Sequence, residues 1–237
     1  MNMALKASPS EPVETSAAPY DFFREVHKGL RFALFTIVAE VGAADCERPD
    51  VRTHVATRVL DTVALLHAHH GHEDAFIAPL LERHQPRLRA IVDAGHAEID
   101  AELLEIERLT ERLADTEGSD AILATLDLYH YLALFTARYL AHMALEEGEV
   151  MGSLRDAMPV DDLFDVDMKL RAAVAPDLMC RFIAVMVPAM NPDERYSMLA
   201  GMQAGAPAEL FERFRAAAFA ALDASEADAL AHRLESD

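Results

Sequence analysis

Cysteine is scarce in this chain: Cys46 and Cys180 are the only two, far apart and in no CxxC arrangement. That argues against a disulfide framework or a zinc ribbon, and makes a reducing compartment, the cytoplasm, the expected location. Basic residues are also short. Lys and Arg number 21 against 41 Asp and Glu, a formal charge of −20. This is the wrong sign for gripping a duplex or an anionic membrane surface, so neither nucleic acid nor membrane is an expected partner. No apolar run approaches the ~18 residues needed to cross a bilayer, and the N-terminus lacks the apolar stretch of a secretion signal. Missing too are Glu-x-x-His, His-Glu-x-x-His, Gly-x-Ser-x-Gly, Gly-x-Gly-x-x-Gly and a P-loop. Readings as a ferritin-like oxidase, zincin, hydrolase, dinucleotide enzyme or nucleoside triphosphatase therefore lack support.

What is present is 52% hydrophobic content with only nine glycines, enough for a sizeable core. Residues 1–19, rich in Ser, Pro, Ala and Glu, have no period and are expected to be disordered. From Tyr20 a stripe of Phe23, His27, Leu30, Leu34, Val38 and Val41 keeps a 3.6-residue period to the Gly42 to Pro49 breakers, which predicts a first helix. A second is predicted over about 50–84 and a third over about 87–115. The third breaks at Gly118, with Ser119 or Asp120 as the next N-cap, and a fourth helix runs to about 156. Beyond 159 the chain reads as four or five shorter helices. Asn191-Pro192-Asp193-Glu194 opens one, Pro207 and Ser225 open two more, and Met168, Met179, Met186, Met190, Met198 and Met202 are expected as core filler. There is no β-alternation. The predicted fold is all-α: an antiparallel up-down four-helix bundle over 20–157, followed by a helical C-terminal extension over 158–237.

The chemistry sits on histidines. His27, His69, His96 and His142 fall on the four successive helices, and two are followed four residues later by a glutamate, Glu73 and Glu146. Residues four apart on a helix lie ~40° from each other, so each pair aims an imidazole and a carboxylate the same way. Heights can be counted as well as faces. His27 lies 20 residues before a turn near 47 and His69 lies 22 after it, which is level within roughly 3 Å. His96 and His142 stand 21 and 25 residues from a turn near 117, a mismatch of roughly 6 Å. Around the turn near 85, His96 is 11 residues away, Glu73 is 12 and His69 is 16. Helix three thus meets the level of Glu73, as a glutamate bridging two ions would require. Two buried carboxylates with neither cation nor donor would cost about a few kcal/mol.

These residues resemble the hemerythrin-like, or HHE cation-binding, family over about 20–157: a histidine early in helix one, His69-x3-Glu73, His96, and His142-x3-Glu146. The tail resembles the extra helices of some bacterial members. The resemblance implies a non-haem centre of two iron ions, oxo- or hydroxo-bridged, that binds dioxygen or another small diatomic ligand, or senses oxygen or iron. It also implies His70 as an additional ligand, since some members use the residue directly after the second-helix histidine. The oxygen carriers have a second histidine four residues after the first on helix three; here that place is Asp100, which counts against reversible oxygen carriage. Asp100 as a ligand and water in its place are the two alternatives. A binding or sensing protein is expected rather than an enzyme. The rival classes are a di-iron enzyme acting on dioxygen, peroxide or nitric oxide, and a metal-free interaction module; a homodimer or protein contact through the C-terminal helices is open. Free imidazole, with a pKa of about 6.5, places loss of metal below about pH 6.

Other polar residues receive plainer expectations. His67 points ~160° from His69, His130 ~120° from His142, and His54 lies roughly 22 Å too far along its helix. His84 sits at a helix C-terminus, and His72, ~60° from His69, is expected to support a ligand rather than be one. Glu147, ~140° from His142, is expected in solvent, and Asp74 lies off the ligand line.

Overall fold

The structure is a computed structural model and describes residues 20–236; the disorder expected for 1–19 lies outside them. All regular structure among the described residues is helical. Helix α1 (Arg24–Ala43) starts later than its apolar stripe, because Asp21 Oδ1 accepts from the N–H groups of Phe23 (2.8 Å) and Arg24 (3.2 Å) and closes the first turn from outside. The predicted second helix is two pieces, α2 (Pro49–Phe76) and α3 (Ala78–His84), with a turn at Ile77. Pro79 supplies the reason. It has no N–H to give the carbonyl four residues back, and its ring crowds that carbonyl. Helix α4 (Pro86–Ala114) follows, and Gly118, not Ser119 or Asp120, occupies the cap position of α5 (Ser119–Leu145). The chain then makes one π turn, Glu146–Val150, before α6 (Met151–Ala157).

Helix α1 packs on α2 and α5, and α4 packs on the same two, closing a four-helix ring. The expected up-down bundle is thus present. Its filling comes in two apolar clusters. The larger holds Leu30, Leu34, Leu66, Leu103, Phe135 and Tyr139; the smaller, at one end, holds Phe22, Phe23, Ile77, Leu81, Val92, Met151 and Leu154. Along each bundle helix the histidines predicted as ligands, His27, His69, His70, His96 and His142, fall where the two clusters meet.

The tail forms α7 (Val160–Ala173), α8 (Pro176–Ala189), α9 (Pro192–Gly205), α10 (Ala208–Ala220) and α11 (Ala224–Ser236). Asn191 caps α9 as predicted: its Oδ1 accepts from Asp193 and Glu194 N–H (3.0 Å each), while Glu194 accepts from the Asn191 N–H (3.0 Å). Pro207 opens α10, but α11 is capped by Asp223, which accepts from the Glu226 N–H at 2.9 Å, rather than by Ser225. Helix α8 lies against α1, and Gly29 permits the approach, since a Cβ there would stand 2.7 Å from Met186 Cγ and 3.0 Å from its Cα. Met186, Met190 and Met198 are buried and Met179 and Met202 pack on the core, but Met168 is 48% exposed on α7 and fills nothing. Among the described residues no single helix is long and apolar enough to cross a membrane.

Candidate metal centre

Each bundle helix delivers candidate donors at the level where the two apolar clusters meet: His27 from α1, His69, His70 and Glu73 from α2, His96 from α4, His142 from the end of α5, and Glu146 from the π turn. All seven side chains are buried. The Nε2 atoms of His27 and His69 are 3.1 Å apart, in keeping with the level counted from the α1/α2 turn. The larger mismatch counted for His96 and His142 is taken up in the packing, and their rings lie 4.9 Å apart. Gly95 makes room there, because a Cβ on it would sit 2.9 Å from His142 Nδ1.

The donors divide into two groups, His70, His96 and His142, and His27, His69, Glu73 and Glu146; within each, one donor atom per residue lies within 4.8 Å of every other. Both carboxylates span the groups. Glu73 has Oε1 3.0 Å from His69 Nε2 and Oε2 3.4 Å from His96 Nε2. Glu146 has Oε1 2.9 Å from His142 Nε2 and Oε2 3.5 Å from His27 Nε2. A cavity of about 10 Å³ borders Glu73, Glu146, His96 and Phe23, room for about one water-sized group.

Outside this layer a second set of carboxylates aims the rings. His27 Nδ1 donates to Glu147 (3.0 Å), which also accepts from Arg31 (2.6 Å), and His96 Nδ1 donates to Asp74 (3.1 Å). With Nδ1 so held, each ring presents Nε2 inward, the usual arrangement around a metal-ligating histidine. Glu147 is therefore not in open solvent. The ~140° that separates it from His142 on a regular helix no longer holds across a turn closed by i→i+5 bonds, which carries one residue more.

Burial and charge pull in opposite directions here. Burial disfavours imidazolium at His27, but the carboxylates of Glu147, Glu73 and Glu146 outweigh it and raise the pKa to about 9. At His96 burial is likewise overcome by Glu146 and Glu73, and the value rises to about 10. Burial would raise Glu73, yet His69, His27 and His96 hold it well below the ordinary carboxylate range. Glu146 is also lowered: burial and the Glu73 charge oppose that, and His142 and His96 prevail. His70 differs. Burial, followed by the charge of His69, depresses it to about 2, so it stays neutral and keeps a lone pair. Both its ring nitrogens, both Glu73 oxygens, Glu146 Oε2 and His142 Nε2 are buried without a well-directed hydrogen bond. Cations bound between the two groups would complete these valences, and imidazole with carboxylate suits iron, zinc or copper.

Asp100 lies outside both groups, 52% exposed, with Oδ1 3.7 Å from His70 Nδ1 and 3.4 Å from His67 Nδ1. His72 is partly buried and bonds the Ala68 carbonyl, while His54 and His130 are exposed and His84 ends α3. Tyr139, buried on α5, joins the donors from the apolar side. Its ring stacks on His70 at 5.5 Å, its hydroxyl is buried without a partner, and burial with the nearby Glu73 and Glu146 charges keeps the phenol protonated.

No curated protein and no solved structure matches the chain significantly. A family model, the hemerythrin HHE cation binding domain, matches residues 18–154, a span that takes in every helix contributing a donor. The chain belongs to the hemerythrin HHE cation-binding family.

Proposed function

We propose that the centre holds two iron ions and that the protein binds or senses dioxygen through them. The observation that carries this reading is the pair of carboxylates, Glu73 and Glu146, each with one oxygen on either donor group. His27, His69 and the two glutamates would hold one ion, and His70, His96 and His142 the other with the same glutamates shared. Iron so held would supply the redox chemistry that dioxygen requires. The protein's own part is to fix the ligand set, to exclude bulk water between two apolar clusters, and to leave a water-sized space beside the shared carboxylates.

The test is metal content per chain after preparation with iron supplied, together with the absorption spectrum before reduction, after it, and on return to air. Two irons with a near-ultraviolet band that bleaches and recovers are expected; a chain holding no metal would overturn the reading. The Tyr139 hydroxyl favours a second reading, an enzyme acting on dioxygen, peroxide or nitric oxide, because a buried neutral phenol near the centre with no partner of its own can donate a hydrogen bond to a guest there. Turnover of peroxide or nitric oxide that falls in Tyr139→Phe while iron content holds would select it.

A further inference from the structure

The C-terminal extension does more than brace α1. Between α1, α2 and the helices α7 to α9 lies a second cavity, of about 80 Å³. Its wall is mostly apolar, with Leu170, Val174, Met179, Phe182 and Met202 contributed by the extension and Val26 by α1. The extension residues all lie beyond 154, outside the family match. On its inner side the wall is the metal layer itself, His69 and Glu73. Phe23, Glu73 and Ile77 border this cavity and the small one beside His96 alike.

Away from the metal layer, the charges of the lining are already paired. Arg171 donates to Asp167 (2.9 Å) and Glu25 (3.4 Å), and Tyr20 Oη donates to Asp167 Oδ2 (2.7 Å). An ionic guest would find those partners already engaged. An enclosed apolar cavity of about 150 Å³ takes benzene or xenon; a pocket of roughly half that volume suits a guest of two or three atoms.

We infer that this chamber is a binding site for a small uncharged apolar gas, which the extension builds against the metal layer, and that its guest passes to the centre between Phe23 and Glu73. The identity of the guest as dioxygen rests on the proposed function; the site itself does not.

Xenon separates the two. With the full chain free of iron, xenon under pressure should shift the methyl signals of Val26, Leu170 and Val174 and leave those of Leu113, deep in the far core, in place. Leu170→Trp should abolish the shifts and Leu170→Ala should strengthen them; if the tryptophan variant does not fold, Val174→Phe serves the same purpose. No shift in the unsubstituted chain, or shifts that survive in a folded Leu170→Trp chain, would overturn the site. In the iron-loaded chain Leu170→Trp should slow reoxidation by air with iron content unchanged, and an unaltered rate would overturn the route. Xenon bound in a chain that takes no iron would sink the proposed function and support the chamber.

Discussion

An imidazole coordinates through one nitrogen and is aimed by what holds the other. At His27 and His96 the holders are Glu147 and Asp74, and each directly follows a spanning glutamate, so the chain uses His-x3-Glu-acid twice. Glu147→Gln and Asp74→Asn should each lower metal affinity ~10–100-fold, read by competition with a coloured chelator. A variant that binds like the parent would remove that acid from the scheme. Glu73→Gln, which takes a charge shared by both donor groups, should empty both positions; Asp100→Asn, altering a half-exposed group 3.7 Å from His70, should leave both filled. Iron per chain in the two variants decides this, and the opposite pattern would move the bridge to α4. Gly95→Ala has effects of opposite sign. Alanine favours a helix interior over glycine by roughly 0.5–1 kcal/mol, but its Cβ would stand 2.9 Å from His142 Nδ1. Weaker metal binding is expected, with the metal-free melting temperature reporting which of the two effects prevails there; unchanged affinity would show that the His142 ring yields to the methyl without cost to the site. Six of the seven inward donors were legible in the sequence because period gives a residue's face and counting from a turn gives its height; His70, ~100° round α2 from His69, was expected only from the family resemblance. Asp74 was not legible, since its bond to His96 depends on how closely α2 and α4 pack. Nor was Gly95, although a glycine in mid-helix beside a candidate ligand asks for a reason.

At the scale of elements, the π turn at Glu146–Val150 has the largest consequence for the site. A regular helix could aim Glu146 inward with His142, but it would carry Glu147 away from His27. Deleting Gly148, whose missing side chain would meet nothing within 4 Å, should restore regular winding while the flanking helices keep their phase. The expected outcome is little change in helical circular dichroism and a clear loss of iron affinity as His27 loses its aiming acid. Undiminished affinity would show that the turn is incidental to the site. No residue pattern announces such a turn, and the sequence alone predicts one unbroken helix through it to about 156. The break at Pro79 was hidden differently, because Phe76 and Leu80 continue the apolar stripe across it. Helix beginnings marked by local side-chain bonds were readable where one candidate stood alone, as at Asn191. They were misplaced by two residues at Ser225, where Asp223 competes for the same donors.

For the whole molecule, the site answers to pH with two opposite slopes. In the metal-free chain His27 (about 9) and His96 (about 10) are raised above the ~6.5 of an unfolded histidine. Their contribution to stability is full below 6.5 and is lost as pH rises through 9 to 10. Glu147, where burial is outweighed by His27 and Arg31, is lowered to about 2 and contributes above its usual 4.5, fading as pH falls toward 2. The melting temperature without metal should therefore drop between pH 7 and 10, whereas metal binding, which needs those imidazoles deprotonated, should strengthen over the same interval. Melting curves flat across that range would remove the raised histidines. Because neighbouring carboxylates keep His27 and His96 protonated to higher pH than free imidazole, proton competition for the site is expected to set in above the pH 6 read from free imidazole. In this pairing the imidazolium rings of His27 and His96 stand against the carboxylates of Glu73 and Glu146. The bundle is in this respect a cation exchanger, with hydrogen ions as placeholders. Each iron admitted must expel protons into the medium, and a chain stripped of iron by acid should refill on neutralisation without having to unfold.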